Sequence, residues 1–229
     1  MKRETTMRII GFLVKKLVIL KVSGAENVPE KGAYLVTTAH ISRLDTPFLM
    51  LSTDRTDVIG LIARDYQRFP FMKWIINGIK AIWITRGAYD FEAFHETLDY
   101  LSKGWIVGIA PEGTRSKTQE LQEGKSGAAL LADRAGVQVI PAVVNGSADM
   151  VKQFSHLRRM RVNVIFGKPF DLPPKDGKDN KDWLLEATDE IMCQIAALLP
   201  ESRRGFYKDH PRLKEILNQK PGLPQREMP

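Results

Sequence analysis

The 229-residue sequence holds one cysteine, Cys193, and four histidines. A single thiol excludes a disulfide framework and any zinc or redox motif built on paired cysteines, and the chain fits a reducing compartment. Cys193 falls in a helical pattern and reads as a small core residue. The histidines, His40, His95, His156 and His210, lack ligand spacing, so no metal is implied. The N-terminal apolar run is broken by Lys15-Lys16 well short of the ~20 residues that cross a bilayer, and no small-residue cleavage site follows. A nucleotide loop is missing as well: Gly124-Lys125-Ser126 would need a glycine at position 119, where Gln119 stands.

What is present suits one folded α/β domain, with 43% hydrophobic and 27% charged residues. The net charge of +7 is unevenly placed. Lys2, Arg3, Arg8, Lys15, Lys16 and Lys21 against Glu4 put five of those charges in residues 1–21. They are interleaved with Ile9, Ile10, Phe12, Leu13, Val14, Leu17 and Leu20. At 100° per residue most of the apolar side chains share one arc. Two readings stand: an amphipathic helix lying on an anionic membrane face, or a helix packed on the protein's own core. The remaining charge is nearly balanced and no nucleic-acid motif occurs, so a nucleic-acid partner is not expected.

Apolar runs at Val18 to Val22, Tyr34 to Thr38, Asp57 to Ala63, Lys80 to Thr85, Gly104 to Ala110, Val137 to Val144 and Arg161 to Phe166 read as strands. Helical spacing separates several of them. Asp90 caps a helix with Phe91, Phe94, Leu98 and Leu101 on one face, where His95 reads as a packed core or boundary histidine. Further helices cover Ala128 to Ala135 and about Asp182 to Leu199. Pro141, inside a strand pattern, is expected at an edge, bulge or strand end. The segment Tyr66 to Ile76, rich in aromatic and aliphatic groups with Arg68 and Lys73, suits a core helix, a membrane-facing surface or the wall of an acyl-chain groove. The expected fold is α/β: a single domain with a mixed, largely parallel central sheet flanked by helices, plus an N-terminal amphipathic helix. Residues 1–21 form the interface helix, 22–207 the main domain, and 208–229 a short helix and a tail.

Chemistry-bearing residues follow the strands. After the first buried strand comes Ala39-His40-Ile41-Ser42-Arg43-Leu44-Asp45. A histidine and a carboxylate five positions apart at a strand-to-helix turn can form a general-base pair. Ser42-x-x-Asp45 can equally be a capping-box-like helix start. Arg86 follows another strand, where α/β sheets place their ligand crevice. Pro111-Glu112-Gly113-Thr114-Arg115-Ser116 follows a third. Its glycine, arginine and hydroxyls suit a phosphate ester, and a tight turn with a Glu112–Arg115 ion pair is the alternative.

Four blocks thus stand in order: Ala39-His40-x-x-x-x-Asp45, Gly78-x-x-x-Ile82-x-Ile84-x-Arg86, Pro111 to Ser116, and Val139-Ile140-Pro141-Ala142. Together they resemble the motif blocks of the glycerolipid acyltransferase family, most closely the bacterial 1-acyl-glycerol-3-phosphate acyltransferases. The resemblance runs from about Gly24 to Tyr207 and includes Leu-Pro-Glu-Ser-Arg-Arg-Gly-Phe-Tyr near the end. It implies His40 as general base, Asp45 as its orienting partner, and Arg86, Glu112, Gly113, Thr114 and Arg115 as the binding site for a glycerol phosphate acceptor. It also implies an acyl group moved from acyl-CoA or acyl carrier protein to lysophosphatidic acid, without metal or cofactor, by a peripheral or monotopic protein on the cytoplasmic membrane face. Glycerol-3-phosphate or another lysolipid as acceptor, and a catalytically weak lipid-binding protein, are the alternatives. One departure stands out: the position before the histidine is often asparagine in that family, and here it is Ala39.

Overall fold

Along the strand Tyr34–Thr38, side chains alternate between two buried layers, Leu35 entering one and Val36 the other. A strand buried on both faces needs helices on both sides, which is the arrangement found. The structure is a computed structural model that describes residues 3–42, 44–85, 90–147 and 159–219. The strands are β1 (Val18–Ser23), β2 (Tyr34–Thr38), β3 (Val58–Ala63), β4 (Ile82–Ile84), β5 (Ile106–Ile109), β6 (Val139–Asn145) and β7 (Met160–Phe166). They form one sheet in the order β1-β7-β6-β2-β5-β3-β4. Only the β6–β7 pair is antiparallel. The expected single domain with a mixed, largely parallel sheet is therefore the fold observed.

Helices α1 (Arg3–Leu17), α2 (Asp45–Leu51) and α3 (Pro70–Ile79) lie on one side of the sheet. On the other are α4 (Phe91–Ser102), α5 (Gly127–Ala135), α6 (Asn180–Leu198) and α7 (Pro211–Gln219). Leu213 and Ile216 of α7 are buried against the second layer, so this helix is part of the packed body. Cys193 is fully buried on α6, its Sγ 3.3 Å from His210 Nδ1. Burial pushes its thiol up to about 12, which keeps it protonated and unreactive at neutral pH.

The N-terminal segment is helical only to Leu17 and extended from Val18. Its inner edge is anchored: the Arg3 guanidinium donates to the carbonyls of Thr56, Val58 and Ile79. Thr6 is buried where α1 crosses α3, and a Cβ on Gly78 would come within 2.8 Å of the Thr6 hydroxyl. The outer edge exposes Ile9, Phe12 and Leu17 beside Arg8 and Lys16. One helix thus satisfies core packing on one edge and leaves an apolar, basic strip on the other.

One expectation holds and one needs correction. Pro141 lies inside the sheet, between β2 and β7, at a bulge, one of the three places expected for it. It is accommodated because β7 leaves the ladder there: the antiparallel register begins at Ala142↔Phe166 and resumes only as a bridge at Val139↔Phe170. Ile140 and Pro141 thus face three residues, 167–169, and the absent proline N–H is tolerated at this bulge, where the Pro141 carbonyl accepts from Gly167 N at 2.7 Å. His95 is exposed, not packed. Helix α4 buries Leu101 of the expected face together with Ala93 and Thr97, packs Phe94 and Leu98 against the core, and leaves Phe91 exposed. The small Ala93 and Thr97 let the helix approach the core, with the Thr97 hydroxyl bonded back to Ala93 O at 2.7 Å.

Candidate active site

Because β2, β5 and β6 run parallel, their carboxyl ends reach the same edge of the sheet. His40, the Pro111 to Ser116 loop and Ser147 follow those ends, in the crevice where α/β sheets bind ligands. Helix α2 starts at Asp45 after Leu44, which offers no side-chain cap. Ser42 does not cap the helix; its Oγ accepts from Leu44 N at 3.2 Å in a tight turn ahead of it. His40 stays outside the helix and Asp45 stands on its first turn, where the dipole favours a negative charge.

Asp45 is almost wholly buried. Its Oδ2 accepts from Ile41 N at 2.9 Å and Ser42 N at 2.6 Å, and its Oδ1 accepts from the Ser147 hydroxyl at 2.8 Å. His40 Nδ1 lies 3.7 Å from Asp45 Oδ2, and the imidazole is 21% exposed. That separation is a charge contact rather than a hydrogen bond, and it turns Nε2 away from the carboxylate. Such contacts shorten when the imidazole becomes charged and the substrate is in place.

The third block holds the histidine by its backbone. Glu112, buried, accepts from His40 N at 2.6 Å through Oε1. Its Oε2 accepts from Gln122 N at 3.0 Å and Gln122 Nε2 at 3.1 Å. Ser116 N in turn donates to His40 O at 2.9 Å. The His40 peptide is thus gripped on both sides, and the Glu112 carboxylate spends its acceptors inside the protein. Glu112→Gln would place an amide N–H₂ against N–H donors at one of its two oxygens, and should cost about 1–3 kcal/mol in a denaturant titration.

Gly113 adopts φ 69°, a left-handed conformation that glycine takes at no steric cost. The Lys125 ammonium lies over it, 3.2 Å from where a Cβ would stand. Thr114 and Arg115 are exposed on the same turn. The loop is tied to the C-terminal region as well: Leu121 N donates to Arg203 O, Phe206 N to Leu121 O, and Gly124 N to the Tyr207 hydroxyl. Arg86 lies outside the described residues. The positions that flank it are joined by Asp90, whose carboxylate accepts from Thr85 N at 2.8 Å and Ala93 N at 3.0 Å. Those backbone hydrogen bonds, Ala93 first, hold the Asp90 carboxyl below its usual range.

Ala39 points into the apolar layer beneath α5 and α6, nearly fully buried, on the face opposite His40. The peptides around it are held by Glu112, Ser116 and Asp45, so the turn is built without a side-chain amide at this position. His40 also forms part of the wall of an apolar cavity between the sheet and α2, with Val36, Leu49, Met50, Ile106 and Gly108 among its lining. The sheet brings together His40, Asp45 and Glu112 with the Gly113-Thr114-Arg115 turn. Sequence reading missed Ser147 and Gln122. Ser147 follows the carboxyl end of β6, so the strand-end rule that singled out Arg86 also applies to it.

The family model described as Acyltransferase matches residues 19–145, more than half of the chain. Among curated relatives, the chain is 26% identical over 125 residues to the 1-acyl-sn-glycerol-3-phosphate acyltransferase of Borreliella burgdorferi, covering 54% of this chain and 50% of that protein. It is 28% identical over 173 residues to the probable 1-acyl-sn-glycerol-3-phosphate acyltransferase of Mycoplasma pneumoniae, covering 70% and 65%. The chain thus spans about half to two thirds of the length of these relatives. Among solved structures, the acyltransferase PlsC from Thermotoga maritima superposes with a TM-score of 0.60 at 22% identity, over 82% of this chain and 77% of that one, a likeness of fold. Matched over residues that include all four motif blocks, the chain belongs to the acyltransferase family.

Proposed function

We propose that the protein transfers a fatty acyl group from an acyl thioester to the free hydroxyl of 1-acyl-glycerol-3-phosphate, forming phosphatidic acid. The observation that carries this reading is the pairing of His40 with buried Asp45 beside the Gly113-Thr114-Arg115 turn and the apolar cavity. His40 Nε2 takes the proton of the acceptor hydroxyl as that oxygen attacks the thioester carbonyl, and the Asp45 charge steadies the imidazolium. The tetrahedral intermediate collapses and expels the thiolate, which takes a proton. Thr114, Arg115 and Lys125 present donors and positive charge to the acceptor phosphate, with Arg86 as a further ligand. Glu112 acts through the His40 backbone it holds. The apolar cavity shelters part of an alkyl chain next to the reacting atoms. The step as written balances without metal, cofactor or covalent enzyme intermediate.

The names of the curated relatives support lysophosphatidic acid as acceptor. The purified protein should release thiol fastest with lysophosphatidate in a panel that includes glycerol-3-phosphate and lysophosphatidylcholine, each with acyl-CoA and with acyl carrier protein. Faster turnover of another acceptor would reassign the substrate, and no turnover in any pair would favour the lipid-binding reading.

The same proposal places the protein at the cytoplasmic membrane face as a peripheral or monotopic enzyme. Among the described residues no helix is long and apolar enough to cross a membrane. Helices α1 and α3 pack together and expose Phe12 (58%) and Trp74 (55%), with Ile9, Leu17 and Phe69 also outward. The Lys16 ammonium sits over the Phe12 ring and the Arg68 guanidinium over Phe69. Exposed aromatic groups beside cations match an anionic lipid surface. Phe12→Ser with Trp74→Ser should weaken sedimentation with phosphatidylglycerol vesicles at least tenfold and move the melting temperature by no more than a few degrees. Unchanged vesicle binding would remove this surface from the proposal.

A further inference from the structure

Two backbone N–H groups converge on a single oxygen of Asp45, its Oδ2, at 2.9 and 2.6 Å. A carboxylate held at one oxygen can still pivot about it. The plane of the group, and with it the direction of the Oδ2 lone pair nearest His40 Nδ1, is set by whatever holds Oδ1. That partner is the Ser147 hydroxyl at 2.8 Å. Ser147 is itself fixed: it is 2% exposed, and its carbonyl accepts from the Ser42 hydroxyl at 3.2 Å. Ser42 N is one of the two donors to Asp45, so Asp45, Ser147 and Ser42 close a ring of hydrogen bonds. The ring joins the loop after β6 to the His40 turn, residues 105 positions apart in sequence.

We infer that Ser147 is a positioning residue of the active site, holding the Asp45 carboxylate plane so that His40 keeps its proton on Nδ1 and presents Nε2 as the base. The inference rests on the reading of His40 and Asp45 as base and orienting partner. A serine that merely satisfied a buried carboxylate would affect stability alone. A positioning serine also governs the ring tautomer and the turnover rate, because a general base works only with its lone pair aimed at the substrate proton.

The test uses the full chain labelled with ¹⁵N-histidine, the His40 ring signals being assigned by their loss in His40→Ala. At a pH where the imidazole is neutral, the wild-type ring should show one tautomer, protonated on Nδ1. Ser147→Ala should show a mixture, with kcat for acyl transfer down about tenfold and the acceptor KM within twofold. Ser147→Thr, which keeps the hydroxyl, should return toward the wild-type spectrum. If the alanine variant does not fold, Ser147→Cys, of similar size and a poor donor, must give the same mixture. Wild-type ring shifts in the variant lacking the hydroxyl, or a mixed tautomer in the wild type, would overturn the inference. Absence of acyl transfer in the wild type alongside the predicted change of tautomer would sink the functional reading and leave the positioning role standing.

Discussion

Asp45→Asn should fold nearly as well as the wild type and lose about 10²-fold in kcat, whereas Asp45→Ala should lose both activity and about 2–4 kcal/mol of stability. The contrast follows from the three hydrogen bonds on the buried carboxylate. Asparagine has the same shape. Its carbonyl oxygen can face Ile41 N and Ser42 N while one amide N–H donates to Ser147 Oγ, so both backbone N–H groups keep their acceptor and the side chain keeps its bond to Ser147. What it lacks is the negative charge that steadies a protonated His40. Alanine removes the acceptors outright and leaves two buried backbone donors and a hydroxyl unpaired, close to the first turn of α2. Chemical denaturation and steady-state kinetics on the two variants separate these effects. An asparagine variant with wild-type kcat would show that the charge at this position plays no part in turnover.

His40→Ala should cost about 10²–10⁴-fold in kcat with stability changed by no more than about 1 kcal/mol. The large kinetic effect comes from losing the group that takes the acceptor proton. The small stability effect comes from where the structural contacts lie. Glu112 and Ser116 hold the His40 backbone, which alanine retains, while the ring is partly exposed and meets Asp45 at 3.7 Å. Thermal melts of both proteins check the second half of the expectation. Collapse of the fold in His40→Ala would mean that the ring supports the turn it sits on.

The strands and the positions of the site at their carboxyl ends were legible because apolar runs of five to eight residues were followed by polar turns, several of them containing glycine. His40, Asp45 and the Glu112-to-Arg115 turn could be placed together on that basis. The division of labour between them could not. The family resemblance implies Glu112 as a ligand for the acceptor, and in three dimensions both of its oxygens hold protein N–H groups. That distinction depends on Gln122, ten residues away, and on the His40 peptide across the sheet edge. Ser147 went unremarked for a related reason: a serine after a strand carries no pattern of its own, and its partner Asp45 lies 102 positions earlier. Pro141 follows the local rule: of the edge, bulge or strand end where proline is expected, the fold supplies a bulge, between Phe166 and Phe170. On α4 the expected face is the packed one, with Leu101 buried and Phe94 and Leu98 against the core; Ala93 and Thr97 join it and Phe91 turns outward.

Thiol release with and without acceptor tests whether acyl transfer at His40 is direct and base-assisted, as proposed. The protein mixed with acyl thioester alone should release no burst of thiol. On addition of lysophosphatidate, thiol and phosphatidate should appear together in equal amounts. A burst stoichiometric with the protein before acceptor is added, or no thiol after it, would contradict the claim.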